Sequence, residues 1–419
     1  MKMRQRWSRL LAGGLVVSAM SLTFVASTAS TASASATKSP IAVMGMMDLT
    51  GTGGFYIPNE DSWKGAVNAI NADGGINGHP INLIICDTAE SAAAAATCGS
   101  EAVSDHVALV LDLASEGTYM PYLDQAKIAD ISSGLNSVVT ADKNAFSLWA
   151  GTAAVSGPVT TAKEVGCKSV IFVGAFGESP TELNGLNALN ATIGKDVGIK
   201  TDPEVSAPMG TVDFTPFVAQ ALTYNPGCIV VQGLGTDEVG LIRAVVDSGT
   251  KAKLITISVY LPPASASSLG PAVMDKISAI ATDTDEATDL SNPAVKLWVS
   301  ETKQYAPKPT QFESAMAYAW SQVQLAAYAL KHAKSFSSSS VLSYLSHLSC
   351  YNPGILPTEN LSKPADNPAG NRVFGPYLAN TSYKNGAFYR TGPFYNVFTG
   401  KKAALGPNVG GCAWVPEGK

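Results

Sequence analysis

From Ile41 onward, short uninterrupted apolar runs alternate with segments whose apolar positions recur every three or four residues. Runs of the first kind predict strands buried on both faces, and the second kind predicts helices with one face inward. On this basis Ile41–Met46, Ile81–Cys86, Val107–Leu113 and Ile128–Ser132 are strands. Between them, Asp61–Ala72 sets Trp63, Val67 and Ile70 on one helical face, Ser91–Val103 is an Ala-rich helix, and Tyr119–Ala126 is a third. The pattern then restarts. Thr160–Val165 and Thr181–Ile193 read as helices around the strand Ser169–Gly174, and Lys200–Ser206 reads as the next strand. Thr215-Pro216, an N-cap followed by proline at the first helical position, opens a helix to about Leu222. Ile229–Gln232, Glu238–Val246 and Leu254–Ile257 continue the alternation.

Strict alternation of strand and helix implies parallel sheets covered on both faces, and two such series imply two doubly wound α/β units in tandem. A third segment begins with a strand-like run at about Ala281 and continues with helices Pro293–Gln304 and Glu313–Lys331. After the serine run Ser335–Ser340, the stretch Tyr351–Lys419 is rich in Pro, Gly, Asn and Tyr and predicts loops and short strands.

The first 36 residues do not fit this scheme. Lys2, Arg4, Arg6 and Arg9 precede a largely apolar run from Leu10 to Val25, and Ala34-Ser35-Ala36 offers small residues for cleavage. That is the pattern of a secretory signal peptide, too short for a membrane span, and no Cys within the first 85 residues offers a lipid attachment point. Residues 1–36 are therefore expected to be removed, leaving an exported, extracytoplasmic chain of 383 residues with no lipid anchor. Removal takes the formal charge from −5 to −9, a balance that argues against nucleic acid or anionic membrane as partner. Six cysteines, Cys86, Cys98, Cys167, Cys228, Cys350 and Cys412, are an even number in a disulfide-permissive compartment, with fifteen pairings open. The four histidines show no metal-ligand spacing, so neither metal nor cofactor is expected.

Enzyme signatures are absent from the sequence: no Gly-x-Ser-x-Gly elbow, phosphate loop or His-Glu-x-x-His occurs. Gly51-Thr52-Gly53-Gly54 with Asp87 approaches a dinucleotide fingerprint but lacks the third glycine. The chain is expected not to be an enzyme. The most specific motif is Ile70-Asn71-Ala72-Asp73-Gly74-Gly75-Ile76-Asn77-Gly78, in which two glycines end a helix and Asn-Gly turns the chain into a strand.

That helix-turn-strand signature resembles the periplasmic branched-chain amino acid binding proteins, the type 1 solute receptors of ABC importers. Asp48-Leu49-Thr50-Gly51, Ala175-Phe176-Gly177-Glu178, Thr211-Val212-Asp213-Phe214-Thr215 and Asn292-Pro293-Ala294-Val295-Lys296 are similar to further segments of that family, and the resemblance runs from about Ile41 to Leu330. It implies two doubly wound parallel-sheet lobes joined by three hinge crossovers, closing on a ligand at the carboxyl ends of the strands. Lobe one would comprise 40–152 and about 283–385, and lobe two 153–282 with part of the tail from about 386 to 419.

The resemblance also places the ligand. Ser115 stands where the family binds a ligand carboxylate. Gly134 and Asn136 stand where it offers a carbonyl and a hydroxyl, Tyr56 near its stacking aromatic, and Phe176 where it has Tyr. Gly235, after a lobe-two strand, joins the set. Ser258 stands where the family pairs a Glu with the ligand ammonium, which leaves Asp48 or Glu116 as the remaining sources of a carboxylate. The same fold pairs Cys86 with Cys98. It brings Cys167 to Cys228 through a 2-1-3 strand order, and leaves Cys350–Cys412 to staple the tail. Expected partners are a small polar ligand (amino acid, amide or related organic acid) and, transiently, an ABC permease. The chain would act as a monomer, and a ligand-sensing subunit of a signalling system is the alternative role.

Overall fold

The computed structural model describes residues 38–50, 57–134, 136–149, 152–307, 312–368, 372–407, 409–412 and 414–415. The first sheet contains β1 (Ile41–Met47), β2 (Ile81–Asp87), β3 (Leu109–Leu113) and β4 (Ala129–Ser132), all parallel in the order β2-β1-β3-β4. Its connecting helices are α1 (Ile57–Ala72), α2 (Ala92–Ser104) and α3 (Met120–Ala126), and a short α4 (Ser137–Ala141) follows β4. The α1 helix starts earlier than the apolar pattern marks, at Ile57-Pro58, because Asn59 and Glu60 interrupt any apolar repeat between that start and Trp63. Gly74, Gly75, Asn77 and Gly78 all take positive φ (99°, 69°, 53° and 85°), so the helix stop and the turn into β2 form as the motif predicts.

The second series follows α5 (Thr152–Ser156) and α6 (Pro158–Glu164). It runs β5 (Ser169–Ala175), α7 (Pro180–Val197), β6 (Lys200–Thr201), β7 (Val205–Ser206), α8 (Thr215–Leu222) and β8 (Cys228–Gly233). It continues with α9 (Thr236–Asp247), β9 (Lys253–Ile257), α10 (Pro263–Leu269), α11 (Pro271–Met274) and β10 (Ile277–Thr282). The parallel order is β6-β5-β8-β9-β10, with β7 also pairing β5. The single strand expected over Lys200–Ser206 is two short ones, interrupted at Asp202-Pro203-Glu204, because proline cannot donate to the ladder.

The chain then returns to the first sheet. α12 (Pro293–Tyr305) and α13 (Ser314–His332) lie against α1, and α13 and α14 (Ser338–Ser346) cover β3 and β4. Polar side chains fix α13 in place: Gln322 donates to the carbonyls of Asp112 (3.0 Å) and Ile131 (2.7 Å), and Trp63 Nε1 donates to Gln322 (3.0 Å). The tail re-enters the second sheet. β11 (Tyr377–Lys384) runs antiparallel to β10, followed by β12 (Ala387–Arg390), β13 (Phe394–Asn396) and β14 (Lys402–Ala403). The boundary expected near 385 therefore falls inside the β11–β12 hairpin, and the return to the second sheet comes earlier, just before Tyr377.

Three crossings connect the two sheets: after β4, after β10 and before β11. The first and third run side by side, with Ser147 bridged to Val373 and the Phe374 amide donating to the Ser147 carbonyl. The disulfides are Cys86–Cys98, Cys167–Cys228 and Cys350–Cys412, with Cα separations of 5.8, 5.9 and 5.4 Å. The middle one joins the adjacent strands β5 and β8 at their start, as the 2-1-3 order requires. Residues 1–36, the expected signal peptide, lie outside the described residues, and among those described no helix is long and apolar enough to cross a membrane.

Candidate functional site

The carboxyl ends of β1, β3 and β4 are tied together by buried acids. Asp48 accepts from the Thr88 hydroxyl (2.6 Å) and from the amides of Glu90 (3.0 Å) and Ser115 (2.8 Å). Asp87 accepts from the amides of Leu49, Thr50 and Ala89 and from the Thr50 hydroxyl (2.6 Å). Burial opposes Asp87 ionisation, but these four bonds outweigh it and hold the carboxyl below its usual range. Asp112 accepts from the Ala114 amide (2.7 Å) and the Ser132 hydroxyl (3.0 Å), and complete burial still raises it to about 6.

Sequence-assigned ligand groups meet one another here. The Ser115 carbonyl accepts from Asn136 Nδ2 (2.8 Å), while Asn136 Oδ1 caps α4 through the Val138 amide (2.8 Å). Gly134 turns the chain with φ +72°, its amide donating to Ser132 Oγ (2.9 Å). Glu116 is half-buried beside Ser115. Tyr56 lies outside the described residues.

On the second sheet, Phe176 follows β5 and meets the Tyr260 ring with centroids 5.2 Å apart. Gly235, at φ +57°, opens α9. Ser258 is buried at the end of β9 and shares a hydrogen bond with Ser314 at the start of α13 (3.1 Å), so it joins the two halves of the molecule. Phe176 and Gly235 are not drawn into the Ser115–Asn136 cluster by any hydrogen bond among the described residues.

Strand ends and crossings line a narrow cavity of about 20 Å³, room for about one water. Leu113, Ser133, Ala315 and Tyr318 line it from the first-sheet side, Val259 from the end of β9, and Trp149 and Asp283 from two crossings. Tyr318 donates to the Ser132 carbonyl, which holds its ring in the wall. Asp283 is buried immediately after β10, and that burial raises its carboxyl to about 7, with nearby backbone hydrogen bonds opposing the shift. Glu286, farther along the same crossing, rises to about 8, again through burial. Trp149, Asp283 and Tyr318 did not emerge from sequence reasoning. The acidic run Asp283-Thr284-Asp285-Glu286 directly after an apolar strand was the available signal, since buried acids cluster at such strand ends.

Two sheets with facing carboxyl ends, three crossings between them and a cavity at their junction define a two-lobed binding protein rather than a surface-cleft fold. The family model for the periplasmic binding proteins matches residues 40–374, and the chain belongs to that family. Solved structures agree on the fold. A leucine-binding protein from Thermotoga maritima shares 16% identity at a TM-score of 0.64, covering 84% of this chain and 98% of its own. The fatty acid ABC transporter substrate-binding protein from Thermomonospora curvata shares 15% at 0.68, covering 88% and 95%. A branched-chain amino acid transporter substrate-binding protein from Streptococcus pneumoniae, solved with isoleucine, shares 17% at 0.61, covering 84% and 100%. Among curated proteins, none matches the chain.

Proposed function

We propose that this chain is an exported receptor that captures a small molecule between its lobes and delivers it to an ABC permease. The observation that carries the reading is the junction itself: both sheets present their carboxyl ends to one cavity, and three crossings give the lobes a hinge. A cavity of about 20 Å³ admits no organic ligand, so entry requires the lobes to part. Lobe one is assigned residues 40–149 with 283–376, and lobe two 152–282 with the tail from Tyr377. The ligand would meet the strand-end loops named from the sequence (those of Ser115, Asn136, Phe176 and Ser258) together with the walls at Trp149, Asp283 and Tyr318. No catalytic step is assigned, and the receptor is taken to be monomeric. Relatives named for leucine and for fatty acids set the starting panel. A thermal-shift screen of aliphatic amino acids, amides, amines and fatty acids should return at least one ligand that raises the melting temperature. X-ray scattering should then show a smaller radius with that ligand bound. A ligand that binds without contraction, and whose affinity is untouched by substitutions at the cavity, would reject the cleft as the site.

A further inference from the structure

The groups that line the cleft have a one-sided chemistry. Among the described residues, Asp283 is the only ionisable carboxyl that lines it, and no Lys or Arg does. The remaining wall is aromatic and aliphatic (Trp149, Tyr318, Leu113, Val259 and Ala315) apart from Ser133, whose hydroxyl donates to Asp112 (3.4 Å). The polar groups assigned to a ligand from the sequence are engaged with the protein. The Ser115 amide, at the carboxylate position, is committed to Asp48, the Asn136 side chain to Ser115 and Val138, and Ser258, at the ammonium position, to Ser314. The Trp149 indole N–H is buried without a partner among the described residues. One neutral N–H leaves a desolvated carboxylate far from compensated.

We propose that the ligand selected by this cleft is a small organic cation with a compact apolar body, its ammonium group held by Asp283 against the faces of Trp149 and Tyr318. This deepens the cleft-receptor reading and rests on it. An ammonium group is attracted electrostatically to aromatic faces, more strongly when water is excluded, and a buried carboxylate supplies the countercharge. The aliphatic walls contribute apolar burial that a hydrophilic cation could not use. Because Asp283 holds a proton up to about pH 7 in the unliganded protein, taking up a cation releases that proton. The titratable groups that face it, Glu286 and Tyr318, are likewise held protonated by burial and provide no competing cation.

The test is calorimetric titration of the full mature chain with n-butylammonium, tetramethylammonium, leucine and hexanoate, with scattering on each complex. The ammonium ions should bind and contract the molecule, with leucine and hexanoate weaker by at least about tenfold. Asp283→Asn should weaken ammonium binding by at least about tenfold, while Asp283→Glu retains most of it. Ammonium affinity should rise between about pH 6 and pH 8, and Asp283→Asn should flatten that profile. The Asn variant removes a buried ionisable group, and its melting curve verifies that it folds. If leucine or hexanoate binds more tightly than the ammonium ions, contracts the molecule and ignores Asp283→Asn, the cation assignment is overturned while the cleft reading survives. If ammonium binds with no contraction and no dependence on Asp283, both are overturned. No response to any ammonium at millimolar concentration also overturns the cation assignment.

Discussion

At the scale of single residues, a carboxylate at a strand end can serve a ligand or hold the fold, and its hydrogen bonds decide which role it can fill first. Asp48 accepts three, from the Thr88 hydroxyl and the amides of Glu90 and Ser115, and so joins the ends of β1 and β3 to the loop after β2. Asp48→Asn replaces an acceptor oxygen with a donor facing N–H groups. It should cost about 1–3 kcal/mol in urea unfolding without any ligand present. A variant as stable as the parent would show that these bonds contribute little. Gly45 makes a separate demand, because a Cβ there would lie 2.7 Å from the Trp63 ring. Gly45→Ala should cost about 1–3 kcal/mol by overpacking, read from the same unfolding curves. Sequence reading identified Asp48 and Ser115 as neighbours of the site, since both follow strands. It could not show that they are bonded to each other across 67 positions.

Elements were more legible than residues, and the reason is periodicity. The strands and helices of both series follow from apolar spacing alone, because each is buried on a face or on both. The exceptions are places where tertiary context replaces that signal. Pro203 divides the segment Lys200–Ser206 into β6 and β7, and the first turn of α1, Ile57 to Glu60, carries no apolar repeat that would mark its start. Local chemistry also left marks that can be tested. Ser179 accepts from the Glu182 amide while Glu182 accepts from the Ser179 amide (2.8 Å), a reciprocal cap at the start of α7. These mutual hydrogen bonds hold the Glu182 carboxyl below its usual range. Ser179→Ala should cost about 1 kcal/mol in thermal or urea unfolding, with the loss concentrated in faster amide exchange over the first turn of α7. The Cys167–Cys228 bridge closes a loop of 61 residues between adjacent strands, so replacing both cysteines with serine should cost about 2–4 kcal/mol. An equally stable double variant would mean the unfolded chain gains little freedom when that loop opens.

At the scale of the whole molecule, the two-lobed plan was readable because each lobe repeats the same alternation, whereas the cleft wall was not. Trp149 and Asp283 sit in crossings, where no period runs, and they meet only because the chain passes between the sheets three times. Assembly of that kind also buries acids in both halves. Burial raises Glu204 to about 7, with Glu178 nearby adding repulsion, and raises Glu238 to about 8 against the hydrogen bond from Thr256. Asp283 and Glu313 rise to about 7 and Glu286 to about 8, each chiefly through burial. The sign of the consequence follows from proton counting. Each of these groups ionises near 4 in the unfolded chain but keeps its proton in the fold, so between about pH 4.5 and pH 8 the folded state binds more protons. Stability must therefore fall as pH rises through that window. The acids held low, Asp87, Glu182, Asp213 and Asp289, act only below it, where protonating them costs stability. The melting temperature at fixed ionic strength should accordingly peak near about pH 5 and decline toward pH 8. Glu238→Gln removes one contributor without removing the polar contact to Thr256. It should raise the melting temperature at pH 8 and flatten part of the decline. A melting temperature constant from pH 5 to pH 8 would mean that bound water or ions pair these acids, and that burial does not set their charge.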